Sequence, residues 1–453
     1  MKFGLFYEHQ LPRPWTDTSE QQLISDALDQ IELADKVGFD YVWEVEHHFL
    51  EEYSHSSAPE VFLAAASQRT ERIRLGHGII QTAPSYNHPA RTAERVAMLD
   101  LVSGGRVDFG SGESSSEAEL GGFGIDMATK REQWLEGLEV AIRCMTETPF
   151  TGVEGTYVSM PPRNVVPKPA QKPHPPLWVA CSRKETIMLA AEKGIGALSF
   201  AFIDPEEAEG WVHDYEEALA STCVPVGLEI NPTIACVTPM MCHPDEQVAL
   251  TMGLEGGNFF GYSLGHFYIF GDHVPAQTDV WQEFVERRAE VGYSPEAALA
   301  AEQETLGAKV VAGESTGLRG AVGTPDQIRE FLRRYEEAGV DQIIFVMQAG
   351  RNRHEDIMSS IELFGTEVLP EFAERDPAFV AAKQARLAPA IEQAKARRVD
   401  TAPPLPDGFS IPAIPKRMIE LADNEAGRKF LETVADEQAA GREMFRAAAS
   451  ESQ

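Results

Sequence analysis

The segment Glu44-Val45-Glu46-His47-His48-Phe49 sets an acid ahead of two adjacent histidines at the end of a short apolar run. Imidazoles titrate near neutral pH, so this group can donate, accept or shuttle protons. The same residues could hold a metal or pack a polar loop. Adjacent histidines point in different directions and the spacing offers no third ligand, so no metal site is assigned. Gly76-His77-Gly78-Ile79-Ile80, with Asn87-His88-Pro89 after it, sets small residues where a flat ring could approach the backbone or where the chain turns tightly. Gly110-Ser111-Gly112-Glu113-Ser114-Ser115-Ser116 is a hydroxyl-rich loop able to present N–H and O–H groups to a phosphate. Cys181-Ser182-Arg183-Lys184-Glu185-Thr186 opens a helix. Ser182 and Glu185 have the spacing of a capping box. A phosphate at the same helix N-terminus would be helped by Arg183 or Lys184.

The elements that must position these groups alternate. Strands are predicted at 3–7, 39–43, 73–79, 106–110, 177–180, 197–200, 228–237 and 342–346. Helical periodicity falls at 20–37, 59–69, 89–101, 130–146, 184–193 and 325–338, with Gly38 as a C-cap and Pro89 in a first turn. Short apolar strands in repeated βα units imply a parallel sheet, and eight of them favour a closed (β/α)8 TIM barrel. Catalytic groups of such a barrel lie just past the strands' C-terminal ends, where the histidines and the hydroxyl-rich loop fall.

Two stretches break the rhythm. Residues 150–176 are rich in Pro and Gly, and residues 238–320 form a long insertion near the active site. Within it, Phe260, Tyr262 and His266 sit among glycines and aromatics, which reads as a mobile apolar pocket wall or as a loop packing its own rings. The catalytic domain is expected over 1–371, and 372–453 as a helical C-terminal extension with a Pro-rich linker at 401–406.

The 453 residues carry a formal net charge of −32, which argues against nucleic acid and anionic membrane as partners. The 43% hydrophobic content can bury a large core. Five cysteines without a CxxC pair argue against disulfides and zinc and for a reducing, cytoplasmic setting. The apolar run at the N-terminus is too short for a signal-peptide core, and no stretch reaches the ~18 apolar residues of a membrane span.

The run from Gly38 to Phe49, Asn87-His88-Pro89 with Arg91 and Glu94, the segment from Leu99 to Gly112, Phe123-Gly124-Ile125 with Arg131, and 364–370 together resemble the bacterial luciferase-like flavin-dependent monooxygenases over about residues 1 to 370. That resemblance implies a two-component enzyme. It would take reduced FMN (FMNH2) from a separate NAD(P)H:flavin reductase, form a flavin C4a-hydroperoxide with O2, and oxygenate a small organic substrate. His47 would act in acid/base chemistry or stabilise the peroxide, with Glu46 and His48 orienting it. Gly78 and Ile79 would sit against the isoalloxazine, where the family often has a bulge. Arg131 and Ser182 would hold the FMN phosphate, beside Ser111, Gly112 and Arg183. A homodimer is expected.

One position departs from the family. Where many members carry an Arg after the Gly-x-Gly of the fourth strand, this chain has Glu113. Either Glu113 turns away and Arg183 substitutes, or flavin binds more weakly, because a carboxylate beside a phosphate repels it. Two rival functions share the barrel: hydride transfer with a deazaflavin, and a non-catalytic barrel that binds flavin or a partner.

Overall fold

The computed structural model describes residues 1–200, 203, 205–290, 293, 319–399, 402–413, 417–418 and 424–451. Eight parallel strands close into a barrel: β1 (Lys2–Tyr7), β2 (Tyr41–Glu44), β3 (Arg74–His77), β4 (Val107–Gly112), β5 (Leu177–Cys181), β6 (Gly196–Ser199), β7 (Ile234–Cys242) and β8 (Gln342–Val346). β8 pairs with β1 through Gly4↔Ile344, and β7 pairs with both β6 and β8, which completes the ring. The expected eight-stranded barrel is therefore present. Strand seven begins at Ile234 rather than at 228, because His174 Nε2 accepts from the Leu228 amide and Gly194 O from the Asn231 amide, holding this stretch as loop.

The barrel interior is filled, not open. Trp43 and Trp178 meet edge-on at 5.2 Å between ring centroids, and Tyr41 stacks on Trp43 at 5.8 Å. Gly76 is required here: a Cβ on it would lie 2.2 Å from the Trp43 ring. The second apolar layer lies between strands and helices, and it draws in Phe3, Phe345, Phe364 and Phe372. All five cysteines are free and buried. No helix among the described residues is long and apolar enough to cross a membrane.

The helices follow their sequence signals. Ser19–Val37 ends on Gly38 at φ +110°, and Pro325–Glu337 starts with a reciprocal cap between Thr324 and Gln327. Pro205–Ser221 is an additional helix that the sequence periodicity did not predict. The larger difference lies in the insertion. Residues 256–268, expected as a mobile wall or as a loop packing its own rings, belong to a helix, Glu246–Gly265, that runs into a π-helical turn, His266–Phe270. Its glycines cost helix propensity, but they are contact points. A Cβ on Gly253 would meet Met241 at 2.5 Å, and one on Gly256 would meet the Ala349 carbonyl at 2.5 Å. Asp245 caps the start by accepting from the Gln247 amide at 2.9 Å. Residues 291–292 and 294–318 of the insertion lie outside the described residues.

The chain divides into two compact units, Met1–Ala402 and Pro403–Gln453. Helix Leu369–Arg397 belongs to the first unit: Phe372 is buried against Phe3, and Lys383 binds Asp341 at 2.6 Å. Asp341 also accepts from the Ile234 amide at 2.8 Å, so one buried carboxylate ties this helix to β7. The second unit contains the helix Glu425–Glu451.

Removing one partner of a buried ion pair strands the other. Lys383→Ala is expected to destabilise the barrel by roughly 3–5 kcal/mol in urea unfolding. Adding Asp341→Asn should recover part of that loss; no recovery would show that the charge pair is not the cause.

Candidate active site

A cavity of about 530 Å³ opens at the C-terminal ends of the strands. Such a volume lies within the usual range for small-molecule sites. Its walls come from β1 and β2 (Phe6, Glu8, Val45, His47), from the turn after β3 (Gly78, Ile79, Gln81), from the loops after β4 and β5, and from the insertion helix.

The turn after β3 is a bulge. Gly76 pairs with Asp108 and Ile80 with Ser111, so four steps on one strand face three on the other. The extra residue puts Gly78 and Ile79 at the cavity wall, with the Gly78 amide held by the Glu44 carbonyl at 2.7 Å. Close packing fixes the neighbouring strand: a Cβ on Gly110 would lie 2.0 Å from the His77 carbonyl oxygen.

His47 sits between two carboxylates. Nδ1 lies 3.0 Å from Glu119 Oε1, and Nε2 lies 3.5 Å from Glu8 Oε2. Glu119 is fully buried; it also accepts from the His48 amide at 3.0 Å and from the Ser114 hydroxyl at 2.6 Å. Burial alone would lower the imidazole's pKa, but Glu119 and Glu8 outweigh it and raise His47 to about 9. Burial raises Glu119 in turn, yet the His47 charge and the hydrogen bonds leave it below the ordinary carboxylate value. His47–Glu119 is thus an imidazolium–carboxylate pair at neutral pH. Glu8 is the other case. Burial pushes it up to about 7 against the opposing effect of His47 and of the Tyr53 hydroxyl, which donates to it at 2.9 Å.

Other residues singled out in the sequence take different places. Glu46 accepts from the Gln81 amide at 2.7 Å and from Asn87 at 2.9 Å, and His48 Nε2 lies 3.3 Å from it. Glu46 therefore ties loops together, and the group that orients His47 is Glu119. His48 packs on Tyr86 and Phe123, away from the cavity lining. Ser111 is buried, accepting from Trp134 Nε1 and donating to the Trp178 carbonyl. Gly112 lines the cavity against Ile79.

On the insertion helix, Phe260, Leu264 and Tyr268 recur every four residues and face the cavity. Tyr262 and His266 are two residues out of phase. Tyr262 packs into a separate aromatic cluster with Phe284 and Tyr293, and His266 pairs with Glu283 at 2.9 Å and His273 at 3.3 Å. Neither lines the cavity, because a helix, not a loop, sets their direction.

The loops after β4 and β5 make a polar flank. Glu113, Ser114, Ser115, Ser182, Arg183 and Thr186 all line it. Arg131 is committed to Glu113 at 2.9 Å, and Lys130 reaches Ser115 at 3.2 Å. Arg183 lines the cavity and makes no ion pair among the described residues. The helix begins at Lys184 with Arg183 as its N-cap residue, so Ser182 and Glu185 do not form the expected capping box and Ser182 is left at the cavity mouth.

The residues fit a flavin. Apolar walls can take a flat ring, the buried Gln81 Oε1 has no partner among the described residues and can meet a ring edge, and one flank carries hydroxyls with an unpaired guanidinium suited to a phosphate.

Against this geometry, the family model described as luciferase-like monooxygenase matches residues 1–342. The chain is 25% identical over 379 residues to the oxygenase component of flavin-dependent trigonelline monooxygenase from Acinetobacter baylyi, covering 83% of this chain and 96% of that one. Against an uncharacterised protein of Sinorhizobium fredii it is 35% identical over 170 residues, and there the match spans only about half of the relative, 48%. A monooxygenase from Streptomyces bottropensis superposes with a TM-score of 0.63 at 27% identity, covering 82% of this chain and all of that one.

Glu119→Gln would leave burial as the dominant influence on His47. Its imidazole, followed by NMR, is expected to titrate near or below the ordinary 6.5 instead of about 9. A raised histidine pKa contributes stability that is complete below the unfolded value and lost as pH climbs through the folded one. Unfolding free energy of the unaltered protein should therefore fall between about 6.5 and 9, and the part above about 8 lies clear of Glu8, which titrates at about 7. In Glu119→Gln that fall should vanish; an unchanged slope would refute the pairing.

Proposed function

The chain belongs to the luciferase-like monooxygenases, and from that premise we propose that it is a flavin-dependent oxygenase, taking reduced FMN and O2 to a small organic substrate. The observation that carries this reading is the buried His47–Glu119 pair at the wall of an apolar cavity on the barrel's catalytic face. When bound, reduced flavin supplies the electrons that activate dioxygen.

The chain's own residues have separable tasks. The polar flank, with Arg183, Ser182 and the hydroxyls of Ser114 and Ser115, binds the phosphate. Glu113 and Arg131 neutralise one another there, so Glu113 adds little net repulsion. The bulge at Gly78 and Ile79 and the walls at Phe6, Val179 and Phe200 seat the ring and exclude water, which keeps charges in the site strongly coupled. His47 holds a proton at Nε2 toward the cavity, ready for charge that develops on a reacting oxygen. Loosely held, exchangeable cofactor suits a partner reductase that reduces FMN and passes it on. Val61, Met98, Leu101 and Val102 leave apolar surface on the packed helices Pro59–Ser67 and Pro89–Val102, which supports a homodimer.

Reduced FMN added anaerobically is expected to quench tryptophan fluorescence, since Trp134 lines the cavity. Loss of one charged hydrogen bond in Arg183→Ala should weaken that binding about 10- to 100-fold. The same titration with a reduced deazaflavin coenzyme tests the hydride-transfer alternative, and tighter binding of it would overturn the FMN assignment. Sedimentation at micromolar concentration should give twice the chain mass.

A further inference from the structure

Glu8 lies on the cavity wall beside His47. It follows β1 directly, is 3% exposed and lines the wall. Oε1 accepts from Tyr53 at 2.9 Å, whereas Oε2 is buried with no hydrogen-bond partner among the described residues. A buried acceptor left open costs free energy unless something meets it. His47 Nε2 lies 3.5 Å from it, and that ring is anchored from the other side by Glu119. The cavity therefore presents a carboxylate oxygen and an imidazolium N–H side by side, on a wall that Phe6, Phe200, Phe260 and Leu264 also line.

A ligand that satisfies both must donate one hydrogen and accept another at a single polar point. A carbonyl would accept from His47 and leave Glu8 open. An ammonium would meet Glu8 but be repelled by the imidazolium. A hydroxyl does both, and the apolar surroundings require the rest of the molecule to be apolar.

We propose that Glu8 is a catalytic base and that the substrate is an apolar molecule bearing one acidic hydroxyl, a phenol or an enol. The substrate O–H bond breaks and its proton goes to Glu8 Oε2. The electron pair stays on the substrate oxygen, whose negative charge then faces the His47 imidazolium. An oxygen so charged enriches the adjacent carbon framework in electrons, the condition for attack by an electrophilic oxygen donor; this last clause alone rests on the oxygenase reading. Glu44 and Glu119 face Glu8 as like charges, Tyr53 and Tyr268 as neutral phenols, and His47 as the opposite charge. Glu8 ionises at about 7 and His47 holds its proton to about 9, so the active pairing exists between those values.

The test needs no flavin. The full chain is titrated near pH 8 with 4-hydroxyacetophenone, whose ionisation shifts its ultraviolet absorbance, and with 4-methoxyacetophenone, which lacks the O–H. Expected are at least ~10-fold tighter binding of the hydroxyl compound and a phenolate-type spectrum stronger than that of the free probe. Glu8→Gln should still bind the methyl ether, showing an intact cavity, while losing the spectral shift. Equal affinity for the two ketones, no binding of the hydroxyl compound, or a shift that persists in Glu8→Gln would each overturn the proposal. Failure here leaves the oxygenase reading to the reduced-FMN titration, and failure of that titration does not alter this result.

Discussion

The candidate site depends on closing a parallel barrel around a solid interior. Hydrogen bonding runs from β1 round to β8 and back, so no barrel strand is left as an edge. Trp43 and Trp178 then occupy the space within, and Gly76 is the concession that lets them fit. A filled barrel leaves ligand room only at its mouth. The strand ends converge there, and residues from β1, β2 and the β4 loop come within hydrogen-bond reach although they lie far apart in the chain.

The mouth concentrates charge in an apolar setting. His47 alone would lose its proton on burial, and Glu119 alone would gain one; together they hold both charges. Glu8, with only a looser approach to the same imidazole, is left near its midpoint at neutral pH. Three titratable groups thus take two different protonation behaviours from their spacing, a pattern associated with acid and base roles in active sites. On the polar flank Glu113 faces both Arg131 and Lys130, and Arg183 makes no ion pair among the described residues.

Much of the frame was legible from the residues. Short apolar runs, period-3.6 patterns, Gly38 as a cap and Pro89 in a first turn located most of the barrel. His47 was visible because its residue type and its place after a strand carry chemistry. Glu8 and Glu119 were not, because nothing local marks them: Glu119 is 72 residues from His47, and Glu8 reads as the end of a strand. Tyr262 and His266 were misjudged for a related reason. Their glycine-rich context suggested a loop, whereas contacts with Met241 and Ala349 make those glycines a seam between helix and barrel. Ser182 and Glu185 had the right spacing for a cap, but the helix starts one residue later than that pairing needs.

The phase of the insertion helix has a practical consequence. One stripe, Phe260, Leu264 and Tyr268, forms wall, while Tyr262 and His266 are engaged behind it. Phe260 and Tyr268 pack on Tyr53, and Tyr268 meets His47 edge-on at 6.5 Å between ring centroids, so a change in the stripe alters the wall and the surroundings of the charged trio together. One panel of side chains thus shapes the cavity while its tyrosine end rests against the histidine, so the form of the wall and the setting of the buried charges vary as one.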